Sequence, residues 1–343
     1  MNTSKIVILK DVRPEFASSS DALVITFEEL KHWIKKGSII KHSFRYQNAR
    51  FLTHRLEVIY KPFVVAVLMR LLSRGVCRFE DEQGYRLEVN TRTLLNLFGQ
   101  LVRDFMQKTA FVDQINQEVE QLSSRDQSLK ATRNLDLPAV PVYLRTDLVF
   151  GLRSGGSVGH IAGVLNSLDS FTGKPIFLTT DTISTVRGDT ETHLILPGQE
   201  FRDFRELPSL YLNKIFEQDA LKILGNVELS FIYQRYSLNN FVGVKLAKAY
   251  GVPFVLEYNG SEIWVNRNWD RPLKYESLSE RIELLNLKAA DVVVVISQPL
   301  KDELVGRGIE ADKILVNPNG VNPEIYSPEV DGSVIRSKYD LEG

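Results

Sequence analysis

Apolar and polar positions follow two different periods along this chain. Between residues 139 and 330, short β-rich runs recur at Val142–Leu144, Ile176–Thr180, Leu229–Tyr233, Pro253–Tyr258, Val292–Ile296 and Lys313–Val316. Helical patterns lie between several of them, at His160–Leu168, Leu210–Leu224, Phe241–Tyr250, Ser277–Ala289 and Pro299–Arg307. Strands separated by helices imply right-handed crossovers and a parallel sheet. The run Val292–Ile296 is apolar throughout, as a strand covered by helices on both faces must be. The fold class this predicts is α/β, with a doubly wound, Rossmann-like parallel sheet over 139–330.

Residues 1–138 read differently, as a smaller α+β accessory region. Thr26 with Glu29 three positions later has the form of a capping box, opening a helix that runs to Lys36 and stops at Gly37. Val76–Val89 predicts two short strands around the turn Glu82-Gln83-Gly84. From Thr91 to Glu120 apolar residues fall at helical spacing, among them Leu94, Leu97, Phe98, Leu101 and Phe105. The join between the regions, Ser123–Pro141, is polar and then proline-bearing.

Composition narrows the classes. At 343 residues, with 43% apolar and 25% charged positions, the chain is a folded protein of about two domains and not a disordered or fibrous one. Lys and Arg number 42 against 43 Asp and Glu, a balance that excludes a generally basic nucleic-acid binder. The single cysteine, Cys77, excludes an intrachain disulfide and a cysteine-built zinc site, and fits a reducing compartment. Met1–Asp11 has no secretory leader pattern, so a cytoplasmic location is expected. The apolar run Pro62–Leu72, broken by Arg70, falls short of the roughly 20 residues a spanning helix needs.

Charge is nonetheless uneven. From Lys31 to Arg78 there are eleven Lys or Arg residues against one acid, Glu57, and His32, His42 and His54 lie in the same stretch. Basic residues around a short apolar segment suit an anionic membrane surface, at the inner face of the membrane. A solvated basic face packed near acids elsewhere explains the same run.

In open parallel sheets ligands bind beyond the carboxyl ends of the strands. After the first strand of the second region comes Gly151–His160, rich in glycine and leading into a helix. Gly155, Gly156 and Ser157 there are candidates to receive a phosphate on the helix N-terminus. The spacing is neither G-x-G-x-x-G nor a Walker loop, and a plain strand–helix turn also accounts for it. Arg153 and Arg235 are phosphate candidates or surface arginines, and His160 is a ligand contact, a general base or a helix-face histidine. Beyond Pro253–Tyr258, Glu257, Asn259, Gly260 and Glu262 place two carboxylates and a turn at a strand end, where an acceptor hydroxyl would be held or deprotonated, and a plain turn at Asn259-Gly260 accounts for the same run. Trp264 and Trp269 follow, as sugar platforms or core anchors. Asn319 and Gly320 lie in the turn cluster Asn317–Pro323. No metal constellation is present.

The order of these elements resembles the retaining glycosyltransferases of family four, which have the GT-B fold, over about residues 140 to 343. The most specific stretch is Ala290-Asp291 with the apolar strand to Ile296, Ser297 and Lys301, then Lys313–Val316, Asn317–Asn322, Tyr326 and Pro328. Gly155-Gly156 with His160, and Gly251–Val255, match further parts of the pattern. The resemblance implies transfer of a sugar from a UDP- or GDP-linked nucleotide sugar to a polysaccharide or glycolipid acceptor, with retention and without a cofactor. It implies an acceptor-binding first domain whose glycine loop lies near the donor diphosphate. Asn322 stands where the family has Asp, and Asn259 where many relatives have His, so a base is not supplied there. Residues 331–343 are similar to the lead-in to the family's second, donor-binding domain, which the sequence then lacks. The chain is therefore expected to be a fragment or half of a transferase. The rival expectation is a non-catalytic binding or membrane-adaptor protein built on one half of that fold.

Overall fold

The computed structural model describes residues 4–12, 21–125, 135–320 and 327–341. The first region is built on a five-stranded sheet. Its elements are β1 (Lys5–Lys10), β2 (Ala22–Thr26), α1 (Phe27–Lys35), β3 (Asn48–Thr53), α2 (Pro62–Leu72), β4 (Cys77–Asp81), β5 (Arg86–Glu88) and α3 (Thr91–Arg125). The strand order is β2-β1-β3-β4-β5. The first four strands are parallel, and only β5 runs antiparallel to β4. This region is thus more parallel than the α+β expectation. The β4–β5 hairpin carried a turn signal in the sequence, whereas β1 to β3 carry none that links them.

Local chemistry fixes the elements. At α1, the Thr26 hydroxyl accepts from the Glu29 amide at 3.2 Å and the Glu29 carboxylate accepts from the Thr26 amide at 2.6 Å, a closed capping box. Gly37, at φ 68°, ends the helix in the left-handed region. Pro62 occupies the first turn of α2, where a missing N–H costs nothing.

The second region adds β6 (Val140–Arg145), α4 (Gly156–Leu168), β7 (Ile176–Thr179), β8 (Glu191–Leu194), α5 (Leu207–Leu224), β9 (Leu229–Arg235), α6 (Val242–Tyr250), β10 (Phe254–Tyr258), α7 (Glu262–Trp269), α8 (Glu276–Ala289), β11 (Val292–Val295), α9 (Gln298–Gly306), β12 (Ile314–Val316) and α10 (Ser333–Lys338). Seven strands pair in the order β12-β11-β10-β9-β6-β7-β8, all parallel. This is the doubly wound sheet the strand–helix alternation predicts. Apolar residues fill both of its faces. Phe216, Phe254 and Ile282 belong to the larger core, and Tyr143, Ile161 and Phe177 to a separate cluster.

Helix α3 belongs to both cores. Leu94 and Leu97 pack against the first sheet's core, while Val112, Ile115 and Val119 are buried in the second's. Asp104, midway, accepts from the Phe201 amide at 2.8 Å and from Gln100 at 2.7 Å. At this seam the Lys61 amide also donates to the Arg202 carbonyl at 3.0 Å. The middle of the sequence join, 126–134, and Val321, Asn322 and Tyr326 of the family-like run lie outside the described residues. No helix among the described residues is long and apolar enough to cross a membrane.

The two sheets meet with their carboxyl edges toward one another. His54 and Glu82, just past β3 and β4, touch Asp181, just past β7, or the loop after β6. A cavity of about 250 Å³ at this junction is lined by Phe27, Phe51 and Tyr60 from one side and Leu148, Phe150 and Arg202 from the other.

Candidate functional site

Glu257 organises the carboxyl edge of the second sheet. It is the fourth residue of β10 and 1% exposed, which would be prohibitive for a carboxylate without partners. Its register partner on β9 is Arg235, whose Nε donates to Oε1 at 3.1 Å. Asn259 donates to the same oxygen at 2.7 Å. On Oε2 the hydroxyls of Tyr233 and Tyr143 donate at 3.0 and 3.3 Å. These two tyrosines are paired in register on β9 and β6, and their rings stack 4.9 Å apart. His160 Nε2, from the second turn of α4, stands 3.1 Å from Oε2. Its N–H is not aligned on that oxygen, so the contact is charge pairing rather than a directed hydrogen bond.

The electrostatics follow from this crowd. Burial pushes the Glu257 carboxyl up, but His160, Arg235 and Asn259 outweigh it and hold the group below the ordinary glutamate value. The carboxylate in turn raises the His160 imidazole against the effect of burial, and the Asn319 side chain contributes in the same direction. Burial, then the Glu257 charge, keeps both tyrosine hydroxyls protonated far above neutral pH. The cluster thus gathers two basic side chains, His160 and Arg235, about one buried carboxylate. Glu262, at the first position of α7, differs: burial pushes its carboxyl up, and the Arg235 charge opposes this only in part.

The structure thus brings His160, Arg235, Glu257, Asn259 and Asn319 together. Gly155, Gly156 and Ser157 form the start of α4, one turn before His160. Gly155 takes φ 118°, a conformation that favours glycine, and no side chain caps the helix. A Cβ at Gly156 would meet no atom of the chain. Gly260, at φ 125°, turns the chain from Asn259 into α7, where Ser261 caps the helix by accepting from the Trp264 amide at 3.3 Å. Gly320 follows Asn319 and is exposed. Trp264 and Trp269 are surface residues, not core anchors, and meet edge to face at 5.3 Å.

Arg153 is half-exposed, and its Nη2 donates to both oxygens of Glu82 at 2.7 and 2.8 Å, across the seam between the regions. Beside it His54 bridges two carboxylates, Glu82 at 2.8 Å through Nδ1 and Asp181 at 3.0 Å through Nε2. The Gly151 amide donates to Asp181 at 2.7 Å. Asp181 first, then Glu82, raises the His54 imidazole over the opposing effect of burial. The glycine loop is therefore tied to the first region at its base. Sequence reasoning missed this cluster and the two tyrosines. The tyrosines read as ordinary apolar strand positions, and the His54 partners are 28 and 127 residues away.

The cluster anchored on Glu257 lies at the carboxyl edge of a doubly wound parallel sheet, the edge at which ligands bind in open sheets of this kind. Residues 187–325 match the family model described as Glycosyltransferase Family 4, so this part of the chain is a glycosyltransferase-like domain. The matched segment contains Arg235, Glu257, Asn259, Gly260, Asn319 and Gly320, while Gly155, Gly156, Ser157 and His160 precede it. No curated protein matches the chain. Among solved structures, a UDP-N-acetylglucosamine 2-epimerase is similar at 12% identity and a TM-score of 0.37, covering 53% of this chain and 48% of that one. The UDP-GlcNAc 2-epimerase of Neisseria meningitidis bound to UDP-GlcNAc gives 13% and 0.36, with 52% and 45% covered. The lipopolysaccharide outer core galactosyltransferase WaaB, in its apo form, gives 14% and 0.35, with 56% and 49% covered. The chain spans about half the length of the solved structures it matches.

Proposed function

We propose that the chain acts in glycosyl transfer, moving a sugar from a UDP- or GDP-linked donor to a polysaccharide or glycolipid acceptor with retention at the anomeric carbon. The observation that carries this reading is the cluster of His160 and Arg235 about Glu257 at the carboxyl edge of the sheet, within and beside the segment that matches the glycosyltransferase model. In such a transfer the bond between the anomeric carbon and the diphosphate oxygen breaks. Negative charge then gathers on the leaving diphosphate. The free amides of the first turn of α4, with Arg235 and protonated His160, are the donors that would stabilise it.

Glu257 acts as a positioning residue in this scheme. All its close partners are side chains of the protein, and its task is to hold His160, Arg235 and Asn259 in place. Asn259 and Glu262 are the groups that would hydrogen-bond an acceptor hydroxyl, and the Trp264–Trp269 pair offers apolar faces to its sugar rings. A resident cofactor has no step to perform in this reading.

The test is nucleoside diphosphate release from a panel of UDP- and GDP-sugars, with glycan and lipid-linked acceptors present. Release is expected, and His160→Ala should lower it about 100-fold, the scale of losing one charge-stabilising donor. No release from any donor–acceptor pair would overturn the proposal. A non-catalytic binding protein is the second reading, favoured by the saturation of Glu257. It requires a sugar nucleotide or glycan to bind without turnover.

A further inference from the structure

We infer that the amino edge of the first sheet, opposite the cleft between the regions, is a docking face for an anionic lipid bilayer. The last turn of α1, the segment 38–44 and the end of α2 converge there. The Phe44 amide donates to the Leu71 carbonyl at 2.7 Å, and the Arg74 amide to the Tyr46 carbonyl at 3.0 Å. Trp33 and His42 stack at 3.9 Å beneath the segment, and His42 bonds Tyr46 at 3.0 Å, so the face is rigid rather than a loose tail.

Two sets of side chains project from it. Ile40 is 75% exposed, Phe44 50% and Ile34 42%. Interleaved with them are Lys36, Lys41, Arg45 and Arg74, all exposed, and none forms an ion pair among the described residues. The one acid between Lys31 and Arg78 is Glu57, which the fold places beyond the carboxyl end of β3, at the opposite edge. Of the acids on this edge, Asp21 is taken by Lys5 at 3.1 Å, and Glu88 stands across from Arg78 in register. After burial, the nearby charges of Arg45 and Lys41 also push the His42 imidazole down, which is the mark of a positive field.

Charge complementarity selects an anionic partner, and the exposed aliphatic side chains select a lipid. Apolar side chains among cations enter the boundary between headgroups and acyl chains while the cations stay with the phosphates. A nucleic acid would gain nothing from Ile34 and Ile40. None of these residues lies in the segment that matches the glycosyltransferase model, so the inference stands apart from the transfer reaction.

The test uses the whole chain with phosphatidylcholine vesicles, with and without phosphatidylglycerol, scored by co-sedimentation. Binding to the anionic vesicles only is expected, weakening as salt rises. Lys36→Gln with Lys41→Gln should lower partitioning more than tenfold, at about fivefold per cation removed. Ile40→Ser with Phe44→Ser should lower it several-fold while the melting temperature, read by circular dichroism, stays put. A fluorophore on Ile40→Cys, with Cys77 buried, should shift to the blue on anionic vesicles alone. Equal binding to neutral vesicles, no binding, or a bound state in which the label stays in water would overturn the inference. Binding to single-stranded RNA in place of vesicles, insensitive to the Ile40 and Phe44 changes, would overturn it in favour of a nucleic-acid face.

Discussion

His160 and Glu257 stand 3.1 Å apart, although one comes from the helix after β6 and the other from the end of β10, 97 residues later. Each shifts the other toward its charged form. The pair is the point at which the glycine loop, the ends of β9 and β10 and the Asn319 turn come together.

Removing the charge of Glu257 while keeping its shape should expose that dependence. Glu257→Gln leaves Arg235 and His160 without their common anion and is expected to cost about 3 kcal/mol of stability, as breaking a buried pair does. It should also return the His160 imidazole toward the ordinary histidine range. Chemical denaturation and an NMR titration of His160 check the two effects together. An unchanged titration would mean that the contact carries no charge pairing.

The seam between the regions should respond to pH through His54. Its imidazole is raised in the folded protein, so protonation favours the folded seam. That stabilisation is full below the unfolded histidine value of about 6.5 and is lost as pH rises through the folded one. Asp181 adds the opposite limb. Burial alone would raise its carboxyl, but His54 and the Gly151 amide hold it down, and its contribution fades as pH falls through the folded value. Amide protection factors at the α3–Phe201 seam, corrected for intrinsic base-catalysed exchange, should fall as pH rises through the folded His54 value, and His54→Gln should remove that fall.

Gly155 should be sensitive to substitution for its backbone rather than for space. At φ 118° an alanine is strained, by about 1–3 kcal/mol, although nothing surrounds its Cβ. Gly155→Ala is expected to weaken sugar-nucleotide binding by displacing the start of α4. Gly156→Ala, whose φ carries no such demand, should be milder on the fold. Calorimetric titration of the two variants separates the effects.

Gly243 presents the reverse case. A Cβ there would come within 2.3 Å of the Gln234 amide oxygen and 2.6 Å of the Phe254 ring. Gly243→Ala should therefore destabilise the sheet by about 1–3 kcal/mol through overpacking, read as a lower melting temperature without change in ligand affinity per folded molecule.

Much of this architecture was legible in the sequence. The alternation of apolar runs and helical periods places β6, β7 and β9 to β12 within a residue or two, because strands buried on both faces cannot hide their pattern. β8 escaped for the converse reason. It is an edge strand, Glu191–Leu194, with mostly exposed polar positions. The capping box at Thr26 and the turn at Gly84 were readable because both are local. What was not readable is long-range. That Tyr143 and Tyr233 hold Glu257, or that His54 and Glu82 reach Asp181 and Arg153, depends on which strand ends the topology brings together. Arg153 shows the consequence: beside a glycine loop its charge suggests a phosphate, yet the fold supplies Glu82 from another sheet.

The measurement that tests the account most directly is an amide and histidine NMR titration of the chain with UDP- and GDP-sugars. The account predicts saturable shifts at the Gly155–Ser157 amides and at His160, with the His160 imidazole raised further as the diphosphate arrives. Shifts confined to other parts of a folded chain, or none for any sugar nucleotide, would contradict it.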